Sequence, residues 1–226
     1  MFALLIAAAL FAPSPPPEAE KRLMLTGFDR VRIDGPFSVT VTAGSSASGR
    51  VVGDPAAIDA VQVRVDGQTL VVTPTRDDRG RPAQASARPL AIEVSSDRIV
   101  GAAVRGAGRL RVDRMAGPRV DVALTGDGTI EVGMIDTAQF SAMVIGAGKL
   151  TLAGRGGQGR FMVNGPGTVD AANLAIDTLL VRSEGAGGGA YRARYTADVT
   201  ALGSGAVRVE GTPRCRTQGT ATVRCG

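Results

Sequence analysis

The outward acidic side chains in the C-terminal half of the chain are isolated, and we find no pair of them placed for general acid–base catalysis. Glycoside hydrolysis needs two carboxyl groups that flank one bond, and metal-assisted cleavage needs clustered ligands. The outward acids are Asp127, Glu131, Asp170 and Glu184. The positions 20 residues after the first two hold Ala147 and Thr151, so no ladder of acids forms. We therefore expect no catalytic residues, no enzymatic activity and no cofactor.

Two further kinds of site are excluded by residue type. The chain contains no histidine, so it cannot form a Ser/His/Asp triad. A calcium-binding turn of the G-G-x-G-x-D type begins at Gly156, but Phe161 stands where its aspartate belongs. We expect no metal site.

The residues from Val100 to Cys225 repeat with a period of about 20. Six Gly-x-Gly motifs occur there, and we call their leading glycines the corner glycines: Gly106, Gly126, Gly146, Gly165, Gly185 and Gly203. Successive corner glycines are 20, 20, 19, 20 and 18 residues apart. A repeat of this length is typical of a solenoid, in which each turn forms one rung.

Aliphatic residues alternate with other residues on both sides of each corner glycine. Leu124 and Val122 lie two and four residues before Gly126, and Ile130 and Val132 lie four and six residues after it. Period-two alternation indicates half-buried strands, and one rung buries too little apolar surface to fold alone. The sequence thus predicts an all-β, single-stranded parallel β-helix, with a β-sandwich as the alternative.

The only two cysteines fall at the end of the repeats. Cys215 lies four residues before Gly219 and Cys225 six residues after it, in the slots that hold Val199 and Val209 one rung earlier. We expect both to point into the last rung, where a disulfide would close the core and contribute roughly 2–3 kcal/mol. Two buried free thiols are the alternative.

Two rows of outward residues are candidates for surface binding. One row comprises Arg109, Thr129, Lys149 and Thr168, and the next comprises Arg111, Glu131, Thr151 and Asp170. Such rows could lie flat against a glycan or a protein, or they could be an ordinary solvated face. Tyr191 and Tyr195 alternate with Ala193, which places both rings on one face, either to stack on sugar or to fill the core.

The first 19 residues are predicted to be a signal peptide and a proline-rich spacer. Met1 to Ala12 is an apolar run that is too short to span a bilayer but suits a secretory signal; an uncleaved tail is the alternative. We expect export to the periplasm or the cell surface.

Residues 20–226 are predicted to form a single β-solenoid domain. Residues 20–75 would form an N-terminal β cap and the first rungs, 76–89 an exposed loop, and 90–226 the Gly-x-Gly rungs. Asp66-Gly67 predicts a tight hairpin, and the segment from Asp54 to Ile58 predicts a single helical turn.

The charge pattern does not favour nucleic acid. Lys and Arg total 26 against 21 for Asp and Glu, giving a net charge of +5, and the arginines scatter over many rungs. A nucleic-acid site would cluster them on one face. We expect an envelope glycan or protein as the partner, and no transmembrane span.

The chain resembles a known bacterial family in three places. These are the segment FDRVRIDGPFSVTVTAG from Phe28, the repeated Gly-x-Gly rungs, and the closing GTPRC and VRCG. Over residues 24–226 it resembles the putative auto-transporter adhesin head GIN domain family, whose members have no known function. The resemblance implies a right-handed β-helix exported to the cell envelope, and it brings no site residues. The expected function is non-catalytic adhesion or scaffolding through an extended β face, with a polysaccharide-binding or polysaccharide-degrading protein as the alternative.

Overall fold

The computed structural model describes residues 19–77, 79–81 and 90–226. The predicted signal peptide and spacer, apart from residue 19, lie outside the described residues. So do residue 78 and residues 82–89 of the predicted loop. Within the described ranges, no helix has the length and hydrophobicity that crossing a bilayer requires.

The described residues form sixteen strands and one short helix, α1 (Pro55–Asp59). The strands are β1 (Ala19–Leu23), β2 (Arg30–Asp34), β3 (Ser38–Ala43), β4 (Ser48–Gly53), β5 (Val61–Asp66), β6 (Thr69–Pro74), β7 (Leu90–Ser96), β8 (Gly101–Arg105), β9 (Arg109–Thr125), β10 (Thr129–Ile145), β11 (Lys149–Asn164), β12 (Thr168–Gly185), β13 (Gly189–Gly203), β14 (Val207–Glu210), β15 (Arg214–Gly219) and β16 (Val223–Cys225). They build a β-solenoid of about 6 turns, so the prediction of a solenoid is confirmed and the sandwich alternative is wrong.

Each rung from β9 to β12 has three sides. Buried and exposed residues alternate along β9, but two exposed residues follow each other at Asp113–Arg114 and again at Pro118–Arg119. Each such break in phase marks a corner. Neighbouring strands run parallel in register, so Thr129 lies opposite Arg109 on one side and Lys149 on the other. Outward residues therefore form straight columns along the solenoid.

Inward residues form matching columns that make one continuous core. Among its aromatic members, Phe140, Phe161 and Tyr191 are each at most 2% exposed. The Phe161 ring lies 5.4 Å from that of Phe140 and 4.9 Å from that of Tyr191. These tilted and edge-to-face arrangements are the ones that aromatic rings favour.

The corner glycines stack in a column of their own. Their φ angles lie between +97° and +126°, a region that side chains with a Cβ rarely adopt. At Gly146 an added Cβ would lie 2.7 Å from the carbonyl oxygen of Gly126 in the rung before. The column thus allows the backbones of successive rungs to approach closely at this corner.

The N-terminal rungs do not stack in chain order. β2 and β3, joined at Gly35, pair with β8 and β9 on one side and with the later strands β6 and β7 on the other. β5 pairs antiparallel with β6, β4 with β7, and β1 with β4, which covers the edges of the outer rung. The Asp66-Gly67 hairpin and the helical turn after Asp54 are both confirmed.

The two cysteines form a disulfide across the last rung, with their Cα atoms 6.6 Å apart. Cys225 lies opposite Val209 as predicted, but Cys215 lies opposite Ala197, two positions from the predicted slot beside Val199. The last rung shortens at its corner, which shifts the register. Cys215 is exposed rather than buried because no described rung covers it.

The prediction that Tyr191 and Tyr195 share one face is wrong. Tyr191 is 1% exposed and Tyr195 is 65% exposed. Arg194 and Tyr195 are consecutive exposed residues, so the alternation changes phase at a corner between the two tyrosines. Tyr191 fills the core, whereas Tyr195 points outward with its ring 6.0 Å from the Arg194 guanidinium carbon.

Candidate functional site

The third side of the solenoid carries the best candidate site. We call it the third face, and its residues are 119–125, 139–145, 158–164, 178–184 and 196–202 in β9 to β13. The sheet register places five adjacent outward residues in one column: Arg119, Gln139, Gln158, Thr178 and Thr196. The next column holds Asp121, Ser141, Arg160, Leu180 and Asp198. These columns arise because each strand places every second side chain on the same side.

A shallow groove of about 640 Å³ runs between these two columns. Its side-chain lining, by which we define the third-face groove, consists of Arg119, Gln139, Ser141, Gln158, Arg160, Thr178, Leu180 and Asp198. Most of these groups donate or accept hydrogen bonds through side-chain atoms. The strand backbones below are already paired within the sheet, so the side chains supply the chemistry of the groove.

The charges of the groove are mostly neutralised by neighbours on the same face. Arg119 pairs with Asp121 at 3.1 Å, and Asp198 lies 3.9 Å from Arg216. Arg160 is exposed and makes no ion pair within the part of the chain that the structure describes. The middle of the groove therefore carries one uncompensated positive charge.

An apolar strip borders the groove on the side of the corner glycines. Met143 and Met162 lie opposite each other and are 39% and 48% exposed, and Ile145 lies beside them at 42%. Of the eight exposed large hydrophobic residues in the described ranges, five lie on the third face: Met143, Ile145, Met162, Leu180 and Leu202. This concentration distinguishes the third face from the other two.

The two rows predicted from the sequence lie on the first side, or first face, which comprises residues 109–113 of β9 and their partners in β10 to β12. The register aligns Arg109, Thr129, Lys149 and Thr168 in one column, and Arg111, Glu131, Thr151 and Asp170 in the next. Arg111 and Glu131 form an ion pair of 3.2 Å. The binding role of these rows stays a prediction.

Sequence reasoning missed the third-face groove, although one signal for it was present. The runs around Met143, Met162 and Leu180 place an apolar residue between two inward ones, where the alternation calls for a polar residue. An apolar residue at an outward position is informative because burial in the core does not explain it.

Many acids of the described residues form ion pairs with arginine, among them Asp34, Asp121 and Asp136. On the second side, which comprises residues 114–118 of β9 and their partners in β10 to β12, Arg155 donates two hydrogen bonds to Asp136, of 3.1 and 2.9 Å. The hydrogen bonding from Arg155 lowers the pKa of Asp136 below its ordinary value and raises that of Arg155. No group of three or more potential metal ligands occurs in residues 19–77, 79–81 and 90–226.

Sequence comparison identifies a family for most of the described solenoid. The model of the family described as "Putative auto-transporter adhesin, head GIN domain" matches residues 27–213. The chain belongs to this family. Its description is that of an adhesin and not of an enzyme. No curated protein matches the chain.

Several solved structures share this fold. A putative adhesin from Bacteroides fragilis has a TM-score of 0.82 and 17% identity, covering 93% of this chain and 97% of its own. A putative lipid binding protein from Parabacteroides distasonis has a TM-score of 0.73 and 16% identity, covering 92% and 95%. A putative adhesin from Parabacteroides merdae has a TM-score of 0.69 and 14% identity, covering 92% of this chain and 95% of its own. At these identities the likeness shows the fold alone.

Proposed function

We propose that the protein is an exported, non-catalytic adhesin of the bacterial cell envelope that holds its ligand on the third face. Membership of an adhesin family supports a binding role. The Cys215–Cys225 disulfide supports an oxidising compartment, because structural disulfides persist outside the cytosol. Solenoids bind through extended faces whose shape the stacked rungs fix in advance.

One observation carries the choice of face: the polar groove and the apolar strip lie side by side on the third face. Exposed apolar side chains that cluster beside polar groups mark surfaces that are covered in use. Met143, Met162 and Leu180 are such side chains, and each projects from a strand whose inward neighbours are buried. The first face, with its alternating arginine, lysine and threonine, has no comparable apolar cluster among its described residues.

The rigidity of the frame also favours binding here. Every strand under the groove pairs in register with neighbours on both sides, so the lining side chains stand on a sheet that is already ordered. A ligand then loses its own freedom on binding, whereas little of the protein's freedom is lost. A surface that is ordered before binding is therefore well suited to hold a ligand.

The test uses two methionines as a matched pair. Met162→Glu places a charge in the apolar strip, and Met134→Glu places the same charge on the second side, at a position that is 51% exposed. Both variants and the unmodified protein are applied to a glycan array and to peptidoglycan, with bound sugars checked by mass spectrometry. A third variant, Arg109→Glu, tests the first-face rows.

We expect the Met162→Glu variant to lose most of its binding and the Met134→Glu variant to retain it. Retention by both, with loss in the Arg109→Glu variant, would move the site to the first face and refute the third-face assignment. Cleaved sugars would refute the non-catalytic part of the proposal. Absence of any binding to envelope material would refute the adhesin proposal.

A further inference from the structure

We propose that the third-face groove binds a carboxylate-bearing polysaccharide, with Arg160 as the contact for the ligand's carboxylate. This inference rests on the proposed function, because it names the ligand class for the same face. It depends on the free charge of Arg160, on unsatisfied amides in the adjacent column, and on the apolar wall beside them.

Arg160 stands in the middle of its column, between Ser141 in the preceding rung and Leu180 in the following one. Neither neighbour can neutralise it, and within the described residues it forms no ion pair. A guanidinium presents a planar set of donors that matches a carboxylate with two parallel hydrogen bonds. The free guanidinium thus favours an acidic ligand over a neutral one.

The column beside Arg160 offers hydrogen-bonding groups in regular succession. Gln139, Gln158 and Thr178 occupy three consecutive rungs, which are spaced about 4.8 Å apart. The side-chain amides of Gln139 and Gln158 form no hydrogen bond with any other described residue. An amide both donates and accepts, as sugar hydroxyls do, so a chain lying along the solenoid axis would find a partner at each rung.

Leu180 and Met162 provide the apolar part of the site. Leu180 follows Arg160 in the same column, and Met162 lies two residues after Arg160 on the same strand. The C–H face of a sugar ring can pack on these side chains while its hydroxyls reach the amides. A ligand with hydroxyls, an apolar ring face and a carboxylate matches all three features of the groove.

The charge pattern favours a sugar acid over nucleic acid. Nucleic-acid grooves line up several Lys and Arg side chains to follow the phosphates. Here Arg119 is paired with Asp121, and Asp198 with Arg216, so Arg160 is the one charged residue of the groove that has no ion-pair partner among the described residues. One free cation among amides fits a polymer whose charges are separated by uncharged hydroxyl groups.

The experiment measures binding of three probes to the full chain by biolayer interferometry. The probes are polygalacturonate, its fully methyl-esterified form, and polyglutamate. The esterified form keeps the sugar and loses the charge, whereas polyglutamate keeps the charge and loses the sugar. Arg160→Gln is compared with Arg98→Gln, which removes an exposed arginine that lies outside both candidate surfaces and forms no ion pair with any described residue.

We expect polygalacturonate to bind best and the Arg160→Gln substitution to weaken its binding at least about 10-fold, as loss of a charge-assisted hydrogen bond does. The Arg98→Gln variant should bind within about 2-fold of the unmodified protein. Gln158→Ala, which leaves every charge in place, should also weaken binding and provides a second test if Arg160→Gln impairs folding. Unchanged binding in both groove variants would overturn the proposal.

The remaining outcomes separate this inference from the proposed function. Equal binding of the esterified polymer would overturn the carboxylate contact, and equal binding of polyglutamate would overturn the choice of a sugar. If polygalacturonate does not bind but Met162→Glu still abolishes binding to envelope material, the ligand class is wrong and the third face remains the binding surface. If neither probes nor envelope material bind, the proposed function fails as well.

Discussion

The column of corner glycines leads to a sharp prediction about stability. At Gly146 the φ angle is +109°, and an added Cβ would meet the Gly126 carbonyl oxygen at 2.7 Å and its nitrogen at 3.1 Å. Two effects therefore oppose Gly146→Ala: the unfavourable backbone region and the overlap with the rung before. Because the obstacle is backbone already paired within the sheet, it cannot move aside as a flexible side chain could.

Two other glycines separate these effects. Gly44 has a φ of +93° but nothing within 4 Å of an added Cβ, so Gly44→Ala shows the cost of the backbone region alone. Gly27 has neither a positive φ nor a close neighbour. The backbone term is about 1–2 kcal/mol per residue, and overpacking adds about 1–3 kcal/mol. We expect the free energy of unfolding to fall by about 2–5 kcal/mol in Gly146→Ala and by about 1–2 kcal/mol in Gly44→Ala. In Gly27→Ala it should change by less than about 0.5 kcal/mol.

The assay is unfolding in urea, followed by circular dichroism, with the free energy of unfolding obtained for each variant. Gly146 lies in the middle of the stack and Gly44 near the N-terminal rungs. We therefore compare both the midpoints of the unfolding curves and the slopes with which the free energy of unfolding falls as the urea concentration rises. A change in slope would show that part of the solenoid unfolds separately. If Gly146→Ala costs no more than Gly44→Ala, the argument that backbone stacking requires glycine at the corners is refuted.

Three further predictions concern the core and the end of the solenoid. Cys215→Ser should lower the free energy of unfolding by about 3 kcal/mol in oxidising buffer and leave it unchanged in reductant, because the disulfide closes a loop with a sequence separation of 10; equal losses in both buffers would contradict this. Phe161→Ala should lower the free energy of unfolding by about 3–5 kcal/mol, whereas Met162→Ala should change it by less than about 0.5 kcal/mol. The reason is that Phe161 points into the core and Met162 points outward, and urea unfolding measures both changes. Burial raises the pKa of Tyr191 above its ordinary value of 10.0. The contribution of Tyr191 to the free energy of unfolding should therefore be constant below about pH 10 and fall as the pH rises further, since the unfolded chain loses this proton first. Urea unfolding at about pH 9 and about pH 11 should show the fall in the Tyr195→Phe variant and a smaller one in the Tyr191→Phe variant; equal falls would contradict the assignment.

The features that sequence reasoning predicted well are those that repeat. Leu110, Ile130 and Leu150 keep the same offset from their corner glycines, and the structure places them in one buried column. Repetition works as evidence because a side chain in a stacked rung meets mainly the same position of the rungs above and below it. Each rung thereby confirms the interpretation of its neighbours.

The errors arose where the repeat changes length. Alternation predicts that Tyr195 shares a face with Tyr191, but a corner between them reverses the phase. The offset from Gly219 predicts that Cys215 lies beside Val199, but the last rung is shorter, which moves the cysteine opposite Ala197. The position of a corner depends on how each rung packs on its neighbour, which the alternation of a single strand does not contain.

The residues that hold the solenoid together are not the residues that line the third-face groove. For this reason the repeat pattern does not reveal the groove, and the groove can be tested by substitution. Inward columns and corner glycines hold the solenoid together, so outward residues such as Gln158 and Arg160 contribute little to folding. Substitutions at exposed positions away from structural features usually change stability by less than about 0.5 kcal/mol. The groove can therefore be altered while the fold is kept, and a loss of binding in the Met162→Glu or Arg160→Gln variant can be attributed to the surface once its unfolding curve matches that of the unmodified protein.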